Sequence, residues 1–263
     1  MMRLEFLLRR ERIVLSLGLA VVVGLSFAYV SQGAGTGMSA WDMTTASLFP
    51  HRQPDVPGDM GGSWLLVVAM WWVMMIAMMT PGAAPLILLH RRVLGRDPAH
   101  AAMADVSCAL LLAGYLLVWL AYSVAATALQ NVLQPAGLLS GMMWWSRSAL
   151  FSAALLAAAG FYQWSPWKRS CLAHCRNPVA FLTAHGRPGL RAALVLGMRH
   201  GTYCVGCCGL LMALLFVGGI MNLLWIAVLT GLVLCEKLLP AGLRVAQVTG
   251  GLLIAWAVAT LLV

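Results

Sequence analysis

Long apolar segments with few charges dominate this sequence, and they restrict its fold more than any other feature. The chain is 62% hydrophobic and only 10% charged, whereas soluble domains carry about 25% charged residues. A helix that crosses a bilayer needs about 20 apolar residues. We predict seven such spans, at 13–30, 63–89, 106–128, 147–163, 202–220, 222–239 and 244–263. Because a lipid-exposed backbone must satisfy its own hydrogen bonds, we expect an all-α polytopic transmembrane helix bundle in a single domain.

The basic residues are distributed unevenly between these spans, and this predicts the orientation. They are concentrated before the first span, after the second, between the fourth and fifth, and where the sixth meets the seventh. By the positive-inside rule these segments face the cytoplasm, with the N-terminus inside and the C-terminus outside. Residues 31–61 then form an outer loop, and residues 164–199 form a cytoplasmic loop that ends in an amphipathic interfacial helix at 189–199. The first span is expected to stay as an uncleaved anchor.

A histidine and three cysteines lie within nine residues at the start of the fifth predicted span. His200, Cys204 and Cys208 are four residues apart, so they share one face of a helix, with Cys207 beside that face. Thiolate and imidazole groups are suitable ligands for a soft metal ion. The alternative is that these cysteines are small apolar packing residues. We favour the metal site, because polar groups at membrane depth are costly without a partner.

A second thiol group lies in the predicted cytoplasmic loop. Cys171, His174 and Cys175 share one helical face by their spacing of three and four residues. Neighbouring positive charges are expected to lower the pKa of these thiols and favour thiolate; they belong to Lys168, Arg169 and Arg176. Cysteines at a cytoplasmic face stay reduced, so metal binding or redox chemistry is expected rather than disulfides. The alternative is a pair of half-buried thiols in a short interfacial helix.

Four methionines lie within six residues of the second predicted span. Met74 and Met78 share one helical face, and Met75 and Met79 share the neighbouring one. Thioether sulfur prefers Cu(I) to harder ions. Methionine is also a common packing residue in apolar interiors, which is the simpler explanation. Pro81 follows directly and is expected to loosen the helix, because it lacks a backbone N–H.

The sixth predicted span ends with a carboxylate. Glu236 is the only acidic residue after Asp105. A carboxylate near membrane depth is costly, so we expect it to face the bundle interior and to reach Arg199, His200 or a metal ion. A structural ion pair between two helices is the alternative. We further expect spans two, five and six to pack together, with the methionines facing span five and Glu236 close to it.

Three blocks of sequence carry a resemblance to a known family. They are W-x-M-M-x-A-M-M-x-P at 72–81, C-L-x-x-C-R-x-P at 171–178, and the cysteine-rich block at 204–237 that continues to the Glu-Lys pair. With these blocks the chain resembles a bacterial family of predicted metal-binding integral membrane proteins, a domain of unknown function. The matching region covers about 65–245. The resemblance implies a multi-pass protein of the bacterial inner membrane that binds a metal, and it does not indicate which one.

The sequence thus favours an integral membrane protein that binds a soft metal ion, with Cu(I) first and zinc second. Cys204, Cys207 and Cys208 would be the core ligands, while Cys171 and Cys175 would capture or relay the ion. The four methionines would offer a thioether path outward. Zinc would be favoured if additional ligands joined the thiolates, the candidates being His174, His200 and Glu236.

The expected role is metal transport, delivery or sensing. The expected partners are the lipid bilayer and a protein that donates or accepts the metal, and no nucleic acid is expected. One alternative is a membrane thiol–disulfide enzyme, in which Cys204 and Cys207 form a C-x-x-C redox pair. Another is a structural or assembly protein without metal. An enzyme is not favoured, because the sequence has no motif for hydrolysis or for binding phosphate or nucleotides.

Overall fold

The helical class predicted from the sequence is confirmed. A computed structural model describes residues 17–30, 32, 63–98, 101–140, 144–187, 189–220 and 222–262. Their helices are α1 (Leu17–Val30), α2 (Trp64–Leu94), α3 (Ala104–Leu133), α4 (Ala149–Trp164), α5 (Pro166–Arg176), α6 (Pro178–His185), α7 (Leu190–Ala213), α8 (Leu215–Gly218), α9 (Leu223–Leu238) and α10 (Gly242–Leu262). A short 3₁₀ helix, Ala101–Met103, precedes α3. In this part of the chain the only β-pairing is one isolated bridge, between Leu139 and Ser146.

The length and composition of the helices are those of a membrane protein. Within the described residues, four helical segments are long and apolar enough to cross a membrane: Trp64–Leu94, Ala101–Leu133, Leu190–Gly218 and Gly242–Leu262. Helices α1 and α4 are apolar but shorter, and α9 has 16 residues. The number of seven spans and their orientation remain predictions. The N-terminal basic segment and almost all of the expected outer loop lie outside the described residues.

Helices α3 and α7 pack closely along a line of glycines. A Cβ on Gly114 would overlap the backbone of Leu194, and a Cβ on Gly197 would overlap the backbone of Leu111. Only glycine permits backbones to approach this closely, which is how small residues drive helix packing in membranes. Gly201 continues the line against Val118. Because residue numbers rise together along both helices, α3 and α7 are parallel.

Helix α2 runs antiparallel to α3. Hydrogen bonds fix this register: the Cys108 thiol donates to the Ile87 carbonyl over 3.7 Å, and the Tyr115 hydroxyl donates to the Met79 carbonyl over 3.0 Å. Residue numbers fall on one helix as they rise on the other. An antiparallel α2–α3 pair and a parallel α3–α7 pair are the relative directions that alternating spans require.

Helices α4 and α10 form a second antiparallel pair. The Trp164 indole donates to the Gln247 carbonyl over 2.9 Å, and one turn away Gly160 lies against the backbone of Gly250. A Cβ on Gly160 would also come within 2.7 Å of the Ile254 side chain. The short α4 therefore gains much of its packing from α10.

The segment 164–199 differs from the predicted loop. It holds two short helices, α5 and α6, each starting with a proline after a capping residue. The Ser165 hydroxyl accepts from the Lys168 amide, and the Asn177 side chain accepts from the Ala180 amide. The expected separate interfacial helix at 189–199 is wrong. Its residues begin α7, which continues without a break to Ala213, because the glycine contacts with α3 hold both halves in one helix.

Candidate metal centre

Helix α7 presents three thiols to the bundle interior. Cys204, Cys207 and Cys208 are at most 1% exposed, and their Sγ atoms all lie within 4.8 Å of one another. The Sγ atoms of Cys204 and Cys208 are 3.8 Å apart. Sulfur atoms about 2.3 Å from one metal ion lie about 4 Å from each other, so the three sulfurs can surround a single ion. The spacing i, i+3, i+4 places them on one helical face, as the sequence predicts.

A thioether from α2 completes this set of sulfurs. The Met79 Sδ atom lies 3.7 Å from the Cys208 Sγ atom, and Met79 is fully buried. Tyr115 on α3 fixes both sides of this contact. Its hydroxyl lies 3.0 Å from the Met79 carbonyl and 3.1 Å from the Cys204 sulfur. Four sulfur atoms from two helices therefore face one another without contact with solvent.

The thiols of α5 extend this centre toward the protein surface. The Cys175 Sγ atom lies 3.8 Å from that of Cys207. Cys171 is half-buried and lies against Gly206, where an added Cβ would come within 2.8 Å of the Cys171 sulfur. The structure therefore brings the two predicted cysteine groups together, with Cys171 as the member closest to solvent.

The expected lowering of the thiol pKa in α5 is wrong. Burial raises the pKa of Cys171, and the nearby Cys207 thiol raises it further. The pKa of Cys175 is raised well above its usual value, mainly by hydrogen bonding with Cys204 and Cys207 and then by burial. Both thiols therefore hold their protons more tightly than free cysteine does.

The basic residues of α5 do not activate the thiols because they bind elsewhere. Arg176 donates to the carbonyls of Leu239 and Pro240, over 2.7 and 2.8 Å. Arg169 donates to the Trp164 carbonyl over 2.9 Å. These contacts hold α5 against the rest of the bundle. They also direct both guanidinium groups toward backbone carbonyls rather than toward the thiols.

Glu236 has different partners from those predicted. Its carboxylate accepts from the Lys168 ammonium over 2.7 Å and from the Gln163 amide over 2.8 Å. All three side chains are at most 2% exposed. Helix α5 folds back onto α9 and brings Lys168 to this depth, so the expected contact with Arg199 or His200 is not formed. Both carboxylate oxygens are engaged in an ion-pair network outside the sulfur cluster.

The next residue, Lys237, is the one that reaches the sulfur cluster. Its ammonium donates to the Cys204 Sγ atom over 2.9 Å, and only 5% of the residue is exposed. In the sequence this lysine is one of the basic residues where the sixth predicted span meets the seventh. A signal was present, however: Glu236 and Lys237 point about 100° apart on a helix. Once the glutamate faces inward, the lysine beside it also needs a partner.

The two candidate histidines differ in their surroundings. His200 is 1% exposed, and neither of its ring nitrogens has a hydrogen-bond partner within the described residues. Its ring packs against Tyr115 and Phe181 at 5.7 and 5.3 Å, one turn before the thiols. His174 instead stacks on Tyr203 at 4.2 Å. Of the two, His200 remains available as a further ligand.

The register between α2 and α7 continues beyond the thiols. Met79 of α2 faces Cys208 of α7, and two turns further along Trp71 faces Phe216 of α8, with ring centroids 5.3 Å apart. The helices are antiparallel, so Met75 occupies the level between these two contacts. An aromatic pair therefore lies beyond the sulfur cluster.

On α7 the residue at this intermediate level is Met212, one turn after the thiols. Met212 is fully buried, and so are the other methionines of the stripe predicted on α2, namely Met74, Met75 and Met78. The predicted contact between spans two and five is formed at Met79 and Cys208. By helical spacing, Met75 and Met212 lie about one turn, about 5.4 Å, beyond the thiols.

Comparison with known proteins identifies one family. The family model described as “PpoB2: Copper chaperone” matches residues 68–260. This region covers more than half of the chain and includes all the cysteines and methionines of the centre. No curated protein and no solved structure matches the chain.

Proposed function

The chain belongs to the PpoB2 copper-chaperone family, and on this basis we propose that it is an integral membrane protein that binds Cu(I) and delivers it to an acceptor. The observation that carries this proposal is the buried sulfur cluster. Three thiols lie within 4.8 Å of one another, and a thioether lies 3.7 Å from the nearest of them.

The chemistry of these donors supports Cu(I) over zinc. Thiolates bind both Cu(I) and zinc, but a thioether sulfur beside them is a soft ligand typical of Cu(I) sites. Glu236 is occupied by Lys168 and Gln163, and His174 stacks on an aromatic ring. Of the two candidate histidines, His200 is the one that could join the thiols as a nitrogen ligand.

The order of the sulfurs from the surface inward supports delivery as the role. Copper would meet the half-buried Cys171 first and pass to Cys175 and Cys207. The 3.8 Å gap between these two sulfurs allows one ion to contact both before it leaves the first. Each step exchanges one sulfur ligand for another and leaves the ion as Cu(I). A thiol that becomes a thiolate ligand releases its proton.

The same arrangement provides a direction for release. Beyond the thiols the sulfur ligands are thioethers, at the level of Met75 and Met212. These neutral ligands hold Cu(I) less tightly than thiolates, so they suit an ion that is about to leave. We propose that a copper-requiring protein receives the metal on this side, and that the donor meets Cys171 on the other.

Copper content of the purified protein tests this function. We expect about one Cu(I) per chain under anaerobic, reducing conditions, and loss of that copper in Cys204→Ser and Cys208→Ser, since a hydroxyl is a poor ligand for Cu(I). Cys235→Ser is the matched control, because Cys235 is an exposed free cysteine. Full copper content in the double variant Cys204→Ser/Cys208→Ser would reject the site. Disulfide formation between Cys175 and Cys207 in a protein that binds no copper would favour a redox enzyme.

A further inference from the structure

A lysine ammonium lies within the proposed copper site. The Lys237 Nζ atom is 2.9 Å from the Cys204 sulfur, and both residues are buried. A buried ammonium without a counter-charge is strongly destabilising, so lysine is rarely placed at this depth without an anionic partner. The partner in contact here is the sulfur that is also the proposed metal ligand. Lys237 therefore places its ammonium directly against a proposed metal ligand.

The bundle is shaped to admit this side chain. Lys237 passes over Gly82 on α2, where an added Cβ would lie 3.1 Å from the lysine Cδ and 3.2 Å from Nζ. Such distances are tighter than most Cβ contacts, so an added Cβ would make the lysine side chain shift by a few tenths of an ångström. A glycine within an apolar helix, one turn after Met79, is thereby explained by the path of the lysine.

The end of α9 that carries Lys237 is also held in place by the residue before it. The neighbouring Glu236 is held by Lys168 and Gln163, which anchors the end of α9. The charge of Glu236 is matched by Lys168 rather than by Lys237. The ammonium beside the thiols therefore acts as one fixed positive charge next to the metal position.

We infer that Lys237 makes the centre selective for a monovalent metal ion. The inference rests on the proposed function and specifies the class of ion that the site accepts. A fixed positive charge repels a divalent ion twice as strongly as a monovalent ion at the same distance. The ammonium also decides which combination of metal ion and thiolates has no net charge. This matters because uncompensated charge is costly at membrane depth.

The charges of the bound state favour a monovalent ion. Two thiolates, one ammonium and one monovalent ion sum to zero. Each of the two thiols loses its proton as its metal–sulfur bond forms. With a divalent ion, the complex of the same two thiolates and the ammonium has a net charge of plus one. Neutrality would then require the third cysteine to ionise as well.

Ag(I) and Cd(II) separate charge from ligand preference, because both are soft ions that bind sulfur. We would titrate the full-length protein in lipid nanodiscs with each ion and compare the affinities. In Lys237→Met the ratio of Ag(I) to Cd(II) affinity should fall by about tenfold or more, which corresponds to about 1.4 kcal/mol. Lys237→Arg keeps the charge and should retain most of the ratio. A purely structural lysine would weaken both ions alike.

A pair of glycine variants gives an independent test if the lysine variants do not fold. Gly82→Ala displaces the ammonium and should lower the ratio, while Gly231→Ala should not, because a Cβ at Gly231 meets nothing within 4 Å. An unchanged ratio in Lys237→Met, or equal ratios in the two glycine variants, would overturn the inference and leave copper binding intact. If the wild-type protein binds neither ion, the proposed function itself fails.

Discussion

The thiol of Cys208 lies 3.7 Å from the thioether of Met79, and this contact joins α7 to α2 inside the bundle. The two residues are 129 positions apart in the sequence. Two helices that each look like ordinary apolar spans therefore share one set of soft donors. The copper-handling account depends on this pairing, because neither helix alone brings both sulfur types together.

Replacing the Met79 sulfur tests the thioether directly. Met79→Leu keeps the volume and should cost less than about 1.5 kcal/mol of stability, yet it should weaken Cu(I) binding by about tenfold. The measurement is a competition titration against a Cu(I) chelator. Met70→Leu is the matched control, because Met70 is equally buried and lies more than two turns away on the same helix. Equal affinities in the two variants would remove Met79 from the site.

The glycine crossing of α3 and α7 makes a prediction about stability. Gly197→Ala places a Cβ onto the Leu111 backbone, so the helices must separate, at a cost of about 1–3 kcal/mol. Thermal unfolding in detergent should show a clear decrease in the Tm. Gly231→Ala, where a Cβ has open space, should leave the Tm unchanged or raise it. A similar Tm for both variants would contradict the close crossing.

The buried Lys168–Glu236 pair predicts strong coupling between α5 and α9. Glu236→Gln or Lys168→Met alone leaves one buried charge unpaired and should cost about 3–5 kcal/mol. The double variant Lys168→Met/Glu236→Gln should recover a large part of this loss in a double-mutant cycle of unfolding free energies. It should also keep its copper, because Glu236 is outside the sulfur cluster. Additive losses, or loss of copper in a folded double variant, would contradict this assignment.

The orientation of the chain can be tested with reporter fusions. The loop charges predict that fusions after residues 45 and 263 report the outside, and that fusions after residues 95 and 180 report the inside. The parallel packing of α3 and α7 requires that these two helices cross in the same direction. A cytoplasmic signal at the C-terminus would remove one predicted span. That span would not be α4, because the parallel α3 and α7 need one crossing between them.

Local spacing in the sequence predicts the helices and the thiol face, but not the charged contacts. The i, i+3 and i+4 positions of Cys204, Cys207 and Cys208 suffice to place three sulfurs together, because a helix fixes these distances. The pairing of Lys168 with Glu236 depends on how α5 folds back onto α9. No periodic pattern encodes this contact, since it joins residues 68 positions apart.

The contact of Lys237 and the raised pKa of the α5 thiols both depend on the packed bundle rather than on local sequence. The Lys237 contact with Cys204 depends on a path over Gly82, which only the packed bundle shows. In the sequence, Lys168 and Arg176 appear as charges beside the thiols. In the structure they bind Glu236 and backbone carbonyls. Charges that are near in sequence act on a thiol only when no better partner lies within their reach.

X-ray absorption spectroscopy of the copper-loaded protein tests the central claim most directly. The sulfur centre predicts Cu(I) with a first coordination shell of sulfur alone, from the thiols of Cys204, Cys207 and Cys208 and the thioether of Met79. The sulfur signal should decrease in Met79→Leu and disappear in Cys204→Ser/Cys208→Ser. A shell dominated by nitrogen or oxygen, or a wild-type protein that takes up no copper, would contradict the account.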